Sequence, residues 1–143
     1  MGNQAISDGV YTIMGPGGQL ASDGSRIMLM EPGAGRPDMQ FWHVSFDTGK
    51  DSCTMRNLGT GQYAGTDGDP DEPDWMLRGT SRPFGWKLAD GGDDDPTTFL
   101  VTSAASKQGM RLVPSIIRLW PQMAAIGPPS PSYDFEWTFR QAA

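Results

Sequence analysis

Three tryptophans divide this chain into copies of one pattern. Trp42 lies in Met39-Gln40-Phe41-Trp42-His43-Val44-Ser45-Phe46, Trp86 in Phe84-Gly85-Trp86-Lys87-Leu88, and Trp137 in Phe135-Glu136-Trp137-Thr138-Phe139. Each segment is short and alternates in polarity, the period of a half-buried strand. The match extends upstream to residues 18–21, 61–64 and 110–113, where Leu20, Tyr63 and Leu112 precede their tryptophans by 22, 23 and 25 positions. Further strand-like runs open the copies at 10–13, 53–56 and 98–102, and others fall between at 26–30, 75–78 and 116–120. Four runs per copy and three copies, at a period of 40 to 50 residues, predict an all-β chain with the β-trefoil fold, a closed six-stranded barrel capped by hairpins. A four-bladed propeller would need another copy, and a solenoid would not need its ends to meet. The expectation is one domain over 1–143, with repeats at about 6–47, 51–90 and 97–141.

Composition supports the turns that such a fold requires, with 19 Gly and 12 Pro among 143 residues. Alternation turns Trp42, Val44 and Phe46 to one face and Phe41, His43 and Ser45 to the other. The tryptophans read as a layer of core, and Met28, Met30, Met55, Met76 and Met110 as fillers of an irregular barrel interior. Cys53 is the single cysteine, so no internal disulfide can form and packing must hold the fold. Closing the barrel removes most sheet edges, which predicts a monomer.

The charge balance narrows the partners. Eleven Lys and Arg against seventeen Asp and Glu leave a net charge of −6, which repels phosphate backbones and anionic bilayers, so neither nucleic acid nor membrane is expected. Residues 1–8 have neither a basic start nor an apolar core, so the expected location is the cytoplasm, with unconventional secretion as the other route.

Catalysis finds little support. His43 is the only histidine, no Gly-x-Ser-x-Gly elbow occurs, and Gly15-Pro16-Gly17-Gly18 has no following Lys to make a phosphate loop. His43 and Cys53 are too few for a zinc site. The acidic tract Asp67-Gly68-Asp69-Pro70-Asp71-Glu72-Pro73-Asp74 imitates a calcium loop, but Glu72 stands where Gly is needed and Arg78 where a bidentate Glu is needed. It reads as a solvated loop, as does Asp93-Asp94-Asp95-Pro96. No cofactor, no metal and no enzyme activity are expected.

A trefoil without a catalytic set works by presenting loops from a rigid barrel. Three loops carry distinctive residues: Pro16-Gly17-Gly18 in the first hairpin, Ser22-Asp23-Gly24-Ser25-Arg26 between the second and third strands, and Asn57-Leu58-Gly59-Thr60-Gly61 after the fifth. The glycine pair lets backbone approach a partner closely, Arg26 stands alone on a turn, and Asn57 is expected to be exposed on another.

At these loops the sequence resembles the mycocypins, the clitocypin and macrocypin group of fungal β-trefoil inhibitors of cysteine proteases. The resemblance lies in Asp8-Gly9-Val10-Tyr11-Thr12-Ile13, in Pro16-Gly17-Gly18-Gln19-Leu20-Ala21-Ser22-Asp23-Gly24, in Glu31-Pro32 ahead of Trp42, and in Asn57 spaced before Gly61-Gln62-Tyr63. It covers mainly the first half of the chain; the last repeat matches in outline only, closing on Phe135-Glu136-Trp137. It implies inhibition of papain-like cysteine proteases by a hairpin wedged into the active-site cleft. Gly17 and Gly18 would form the wedge, 33–38 would support it, and the target protease would be the partner. Two glycines offer no side chain to a substrate pocket, so bulky replacements should abolish inhibition with thermal stability nearly unchanged. Members of that family also inhibit legumain through an Asn after the fifth strand, and Asn57 stands at that place as a P1 mimic.

Two alternatives remain. The cospin and cnispin serine protease inhibitors, also fungal trefoils, can place a basic P1 residue between the second and third strands, where Arg26 lies. Arg36 and Arg82 are poorer candidates because Pro37 and Pro83 follow them. Ricin-type lectins carry a Gln-x-Trp triplet in each repeat; here only Gln40-Phe41-Trp42 has it, the other copies reading Phe84-Gly85-Trp86 and Phe135-Glu136-Trp137.

Overall fold

Each tryptophan begins a strand and reaches back with its indole to an earlier strand of its own repeat. Trp42 Nε1 donates to Leu20 O at 2.9 Å, Trp86 Nε1 to Ala64 O at 3.0 Å, and Trp137 Nε1 to Leu112 O at 3.0 Å. All three are 0% exposed, so each indole N–H is satisfied where water cannot reach it. A computed structural model of the chain describes residues 6–47, 52–66, 71, 76–90, 95–115, 121–128 and 135–142.

Twelve strands follow in order: β1 Gly9–Gly15, β2 Gly18–Ser22, β3 Ile27–Met30, β4 Trp42–Phe46, β5 Cys53–Asn57, β6 Tyr63–Gly65, β7 Arg78–Thr80, β8 Trp86–Asp90, β9 Thr98–Ser103, β10 Arg111–Pro114, β11 Ala124–Gly127 and β12 Trp137–Gln141. A 3-10 turn, Pro37–Gln40, precedes β4. Antiparallel pairing closes a ring of six strands, β1-β4-β5-β8-β9-β12 and back to β1. The hairpins β2–β3, β6–β7 and β10–β11 stand off that ring. Isolated bridges Arg26↔Arg78, Met28↔Met123 and Met76↔Ala125 join hairpin to hairpin and make the cap. This is the β-trefoil expected from the repeats.

Alternation in β4 behaves as its sequence requires, with Trp42 and Val44 buried and His43 and Ser45 half-buried. The barrel core gathers Ile13, Leu20, Trp42, Met55, Trp86, Leu112, Trp137 and Phe139 among others. The methionines divide rather than fill one interior. Met55 and Met110 lie in the barrel core, whereas Met28 and Met123 form a separate cap cluster with Ala21, against which Met30, Met39 and Met76 pack.

Two elements differ from the sequence reading. The third strand of the second repeat is β7, starting at Arg78 rather than 75; Met76 contributes only an isolated bridge, and Trp75 lies outside the described residues. In the last repeat the run 116–120 lies outside the described residues, and the strand that pairs β10 is β11, from Ala124. Small residues let β11 pack fully buried, with no alternation to mark it in the sequence. No helix among the described residues is long and apolar enough to cross a membrane.

Candidate functional site

The first expected loop is a two-residue turn, Pro16-Gly17, closing the register Gly15↔Gly18 of β1 and β2. Gly17 is exposed at its tip. Gly18 has φ +139°, and a Cβ there would lie 2.7 Å from Met30 O and 3.1 Å from Met30 N on β3. The turn therefore sits on β3 so closely that backbone itself excludes a side chain at Gly18. A Cβ on Gly17 would crowd the end of the Gln122 side chain and lie 2.9 Å from Cδ1 of Leu29, a core residue 3% exposed, so these side chains would have to shift. A Cβ at either glycine makes a contact shorter than 3.0 Å, against side chains at Gly17 and against backbone at Gly18, so neither position has the open space that the expectation of replacement at little cost in stability requires.

The second loop joins β3 to β4, from Glu31 to Phe41, and is held from inside by Gln40, which is 2% exposed. Its Nε2 donates to Glu31 O at 2.9 Å and Ala34 O at 3.0 Å, while its Oε1 accepts from Gly33 N at 3.2 Å and from Gln19 Nε2 on β2. One buried amide thereby fixes a loop with positive φ at Gly33 and Gly35 and ties it to the hairpin that bears Gly18.

The third loop turns from β5 into β6, and here the expectation of an exposed Asn57 fails. Asn57 is the last residue of β5 and is 0% exposed. Its Nδ2 donates to Met39 O at 2.8 Å, and its Oδ1 accepts from Gly59 N at 3.0 Å and Thr60 N at 3.1 Å. The side chain replaces backbone partners that a tight turn lacks, so it is committed inside the protein. Leu58 N donates to Phe41 O at 2.9 Å and Gly59 N to Asp38 O at 3.2 Å, so this turn and the β3–β4 loop share main-chain bonds. Gly17, Gly18, the 33–38 segment and the Asn57 turn form one continuous assembly.

Arg26 stands apart from it. The β2–β3 hairpin runs from Gln19↔Met30 to Ser22↔Ile27, which puts Arg26 at the opposite end from Gly18, about 15 Å of strand away. Asp23 folds this turn back on itself: its Oδ1 accepts from Ser25 N at 3.1 Å and Arg26 N at 3.0 Å, and its Oδ2 from Arg26 Nε at 3.1 Å and Nη2 at 2.8 Å. Burial acts to raise the Asp23 pKa, but the backbone bonds from Arg26 and Ser25, with the Arg26 guanidinium, outweigh it and bring the carboxyl down to about 2. The Arg26 side chain, 58% exposed, rests on its own turn beside a small cavity of about 210 Å³ shared with Met76, Arg78 and Met123.

Asp71 accepts hydrogen bonds from Ser106 Oγ, Lys107 N and Gln108 N, which hold its carboxyl below the usual range and fasten it to the β9–β10 loop. The rest of the acidic tract 67–74, and Asp93 and Asp94, lie outside the described residues. Among the described residues no group of three or more His, Cys, Asp or Glu is placed to hold a metal. Cys53 is 1% exposed, and burial, with the charge of Asp8 added, pushes its thiol up to about 12. A larger depression, about 580 Å³, opens over Asp47, Ser52, Thr54 and Lys87, and none of the expected site residues lines it.

No family model matches this sequence, and no curated protein matches it. Solved structures do match. A ricin B-like lectin from Macrolepiota procera, solved with lactose, is 20% identical with a TM-score of 0.76, the alignment covering 98% of this chain and 100% of that one. The Rhizoctonia solani agglutinin is 16% identical with a TM-score of 0.79, over 96% of this chain and 98% of its own. A proteinase inhibitor from Coprinopsis cinerea is 16% identical with a TM-score of 0.67, over 96% of this chain and 100% of its own. At these identities the likeness is one of fold, and the chain is a β-trefoil built like both lectins and a proteinase inhibitor.

Proposed function

We propose that this protein is an inhibitor of papain-like cysteine proteases that blocks the active-site cleft with the Pro16–Gly18 turn, braced by the β3–β4 loop. The observation that carries this reading is the fastening of the turn, the loop and the β5–β6 turn to one another by the buried amides of Gln40 and Asn57. A surface that must enter a cleft without being cleaved gains from such fixation, because little ordering entropy remains to be lost on binding. At its tip Gly17 offers a protease backbone without a side chain, and therefore no residue to be recognised beside a scissile bond. The fold likeness to a proteinase inhibitor agrees with the reading.

Titration against a panel of papain, legumain and trypsin tests it. Inhibition of papain that is lost in Gly17→Trp, with the melting temperature kept, supports the wedge. Trypsin inhibition that disappears in Arg26→Ala would move the site to the β2–β3 turn, although the Asp23 ion pair must open for Arg26 to enter a pocket. Glycan-array binding with no effect on any protease would replace the reading with a lectin. The Gln40 of the Gln-x-Trp triplet gives its amide to main chain and to Gln19, which leaves the fold as the lectin's chief support.

A further inference from the structure

We infer that Leu58, and not Asn57, is the side chain with which the β5–β6 turn meets the target protease, and that the subsite it enters is apolar. The inference rests on the cleft-blocking reading and names the kind of protease that reading requires. Leu58 is 44% exposed and is the only large hydrophobic side chain so exposed among the described residues. Its backbone is held by hydrogen bonds. The Leu58 N–H is bonded to Phe41 O at 2.9 Å, Gly59 N–H to Asp38 O at 3.2 Å, and Gly61 N–H to Asn57 O at 2.8 Å. From inside, Asn57 Oδ1 holds Gly59 N and Thr60 N.

This arrangement settles which residue the turn can offer. Both ends of the Asn57 amide are used within the protein, so a pocket that reads asparagine by hydrogen bonds would have to break the turn to find it. Leu58 needs no such rearrangement. Gly59 and Gly61 follow it without side chains, and Gly61 holds φ +73°. The β3–β4 loop is bonded both to this turn and, through Gln40, to the hairpin that carries Gly17 and Gly18, so the backbones that bear the wedge and the leucine are fastened to the same loop. An apolar side chain on a pre-ordered turn gains affinity by leaving water while losing few conformations, provided the receiving subsite is apolar.

Inhibition constants against papain, measured for wild type and for Leu58→Ala, Leu58→Asp and Leu58→Met with melting temperatures alongside, test the inference. Leu58 is already more than half covered, so burying the rest of it corresponds to about three- to tenfold in affinity. Leu58→Ala should therefore weaken inhibition about three- to tenfold, and Leu58→Asp by more than about tenfold because a carboxylate would also lose its water. Leu58→Met, which keeps apolar volume, should stay close to wild type, and the melting temperatures, measured alongside, separate loss of binding from loss of fold. Wild type should not inhibit legumain. If wild type inhibits papain and Leu58→Asp inhibits equally well, the anchor is wrong while the cleft-blocking reading stands. If Leu58→Met loses as much as Leu58→Asp, apolar burial is not the cause and the inference fails. Wild type without effect on papain overturns both.

Discussion

The side-chain amide of Asn57 donates to the main-chain oxygen of Met39 at 2.8 Å, across 18 residues of sequence. Met39 lies in the 3-10 turn before β4 and Asn57 ends β5, and Trp42 pairs with Asn57, so the contact joins two loops lying side by side at one end of that strand pair. A residue that looks like a recognition side chain is a brace for its neighbours.

Truncating that brace should cost more than a surface change. Asn57→Ala leaves Met39 O, Gly59 N and Thr60 N without their partner, and a loss of about 2–4 kcal/mol in unfolding free energy is expected from denaturant titration. A change below half a kcal/mol, the range of ordinary surface substitutions, would mean water replaces the amide freely.

The two glycines of the first turn should separate. Gly18→Ala brings a Cβ to 2.7 Å from Met30 O at a φ of +139°, and about 1–3 kcal/mol of destabilisation follows from the forced conformation. Gly17→Ala crowds side-chain atoms of Gln122 and Leu29 rather than backbone, and at a φ that needs no left-handed strain, so it should cost less than Gly18→Ala. Thermal unfolding of the pair checks the order.

Acid should act on the β2–β3 turn late. The Asp23 carboxyl has its pKa lowered from 3.8 to about 2, so its contribution is complete above pH 4 and is lost as pH falls through 2. Asp23→Asn should therefore melt below wild type at pH 7, and the two curves should converge near pH 2. Curves that stay parallel over this window would place the effect elsewhere.

Cys53 should report unfolding rather than chemistry. With its thiol pushed up to about 12 and 1% exposed, it is protonated and screened at pH 8. Labelling by a disulfide reagent at that pH should be slow in the folded protein and rise with denaturant along the global unfolding curve. Rapid stoichiometric labelling of native protein would contradict the burial of β5.

What could be read from the chain was what repeats along it. Trp42, Trp86 and Trp137 each need a buried site and a carbonyl for the indole, and one local pattern written three times supplies both. The strands around them, and hence the trefoil, follow from that pattern. Where local pattern fades, the reading slips: β7 begins at Arg78, and β11, made of Ala124, Ala125, Ile126 and Gly127, is buried along its length and carries no alternation.

The loops belonged to the tertiary structure. Asn57 reads as exposed because it opens the turn-forming run Asn57-Leu58-Gly59-Thr60-Gly61, but its amide is taken up by Met39 O, brought alongside by the pairing of β4 with β5. Gly18 looks like a turn glycine, and it is the approach of Met30 on β3 that excludes its side chain. Gln40 looked like part of a sugar-binding triplet and proved to be the bracket of its own loop. Side-chain type and spacing set which strands form, because each strand buries its own alternating face. Which polar side chain faces a partner and which is consumed within depends on atoms far away in sequence, and only the closed barrel brings those atoms together.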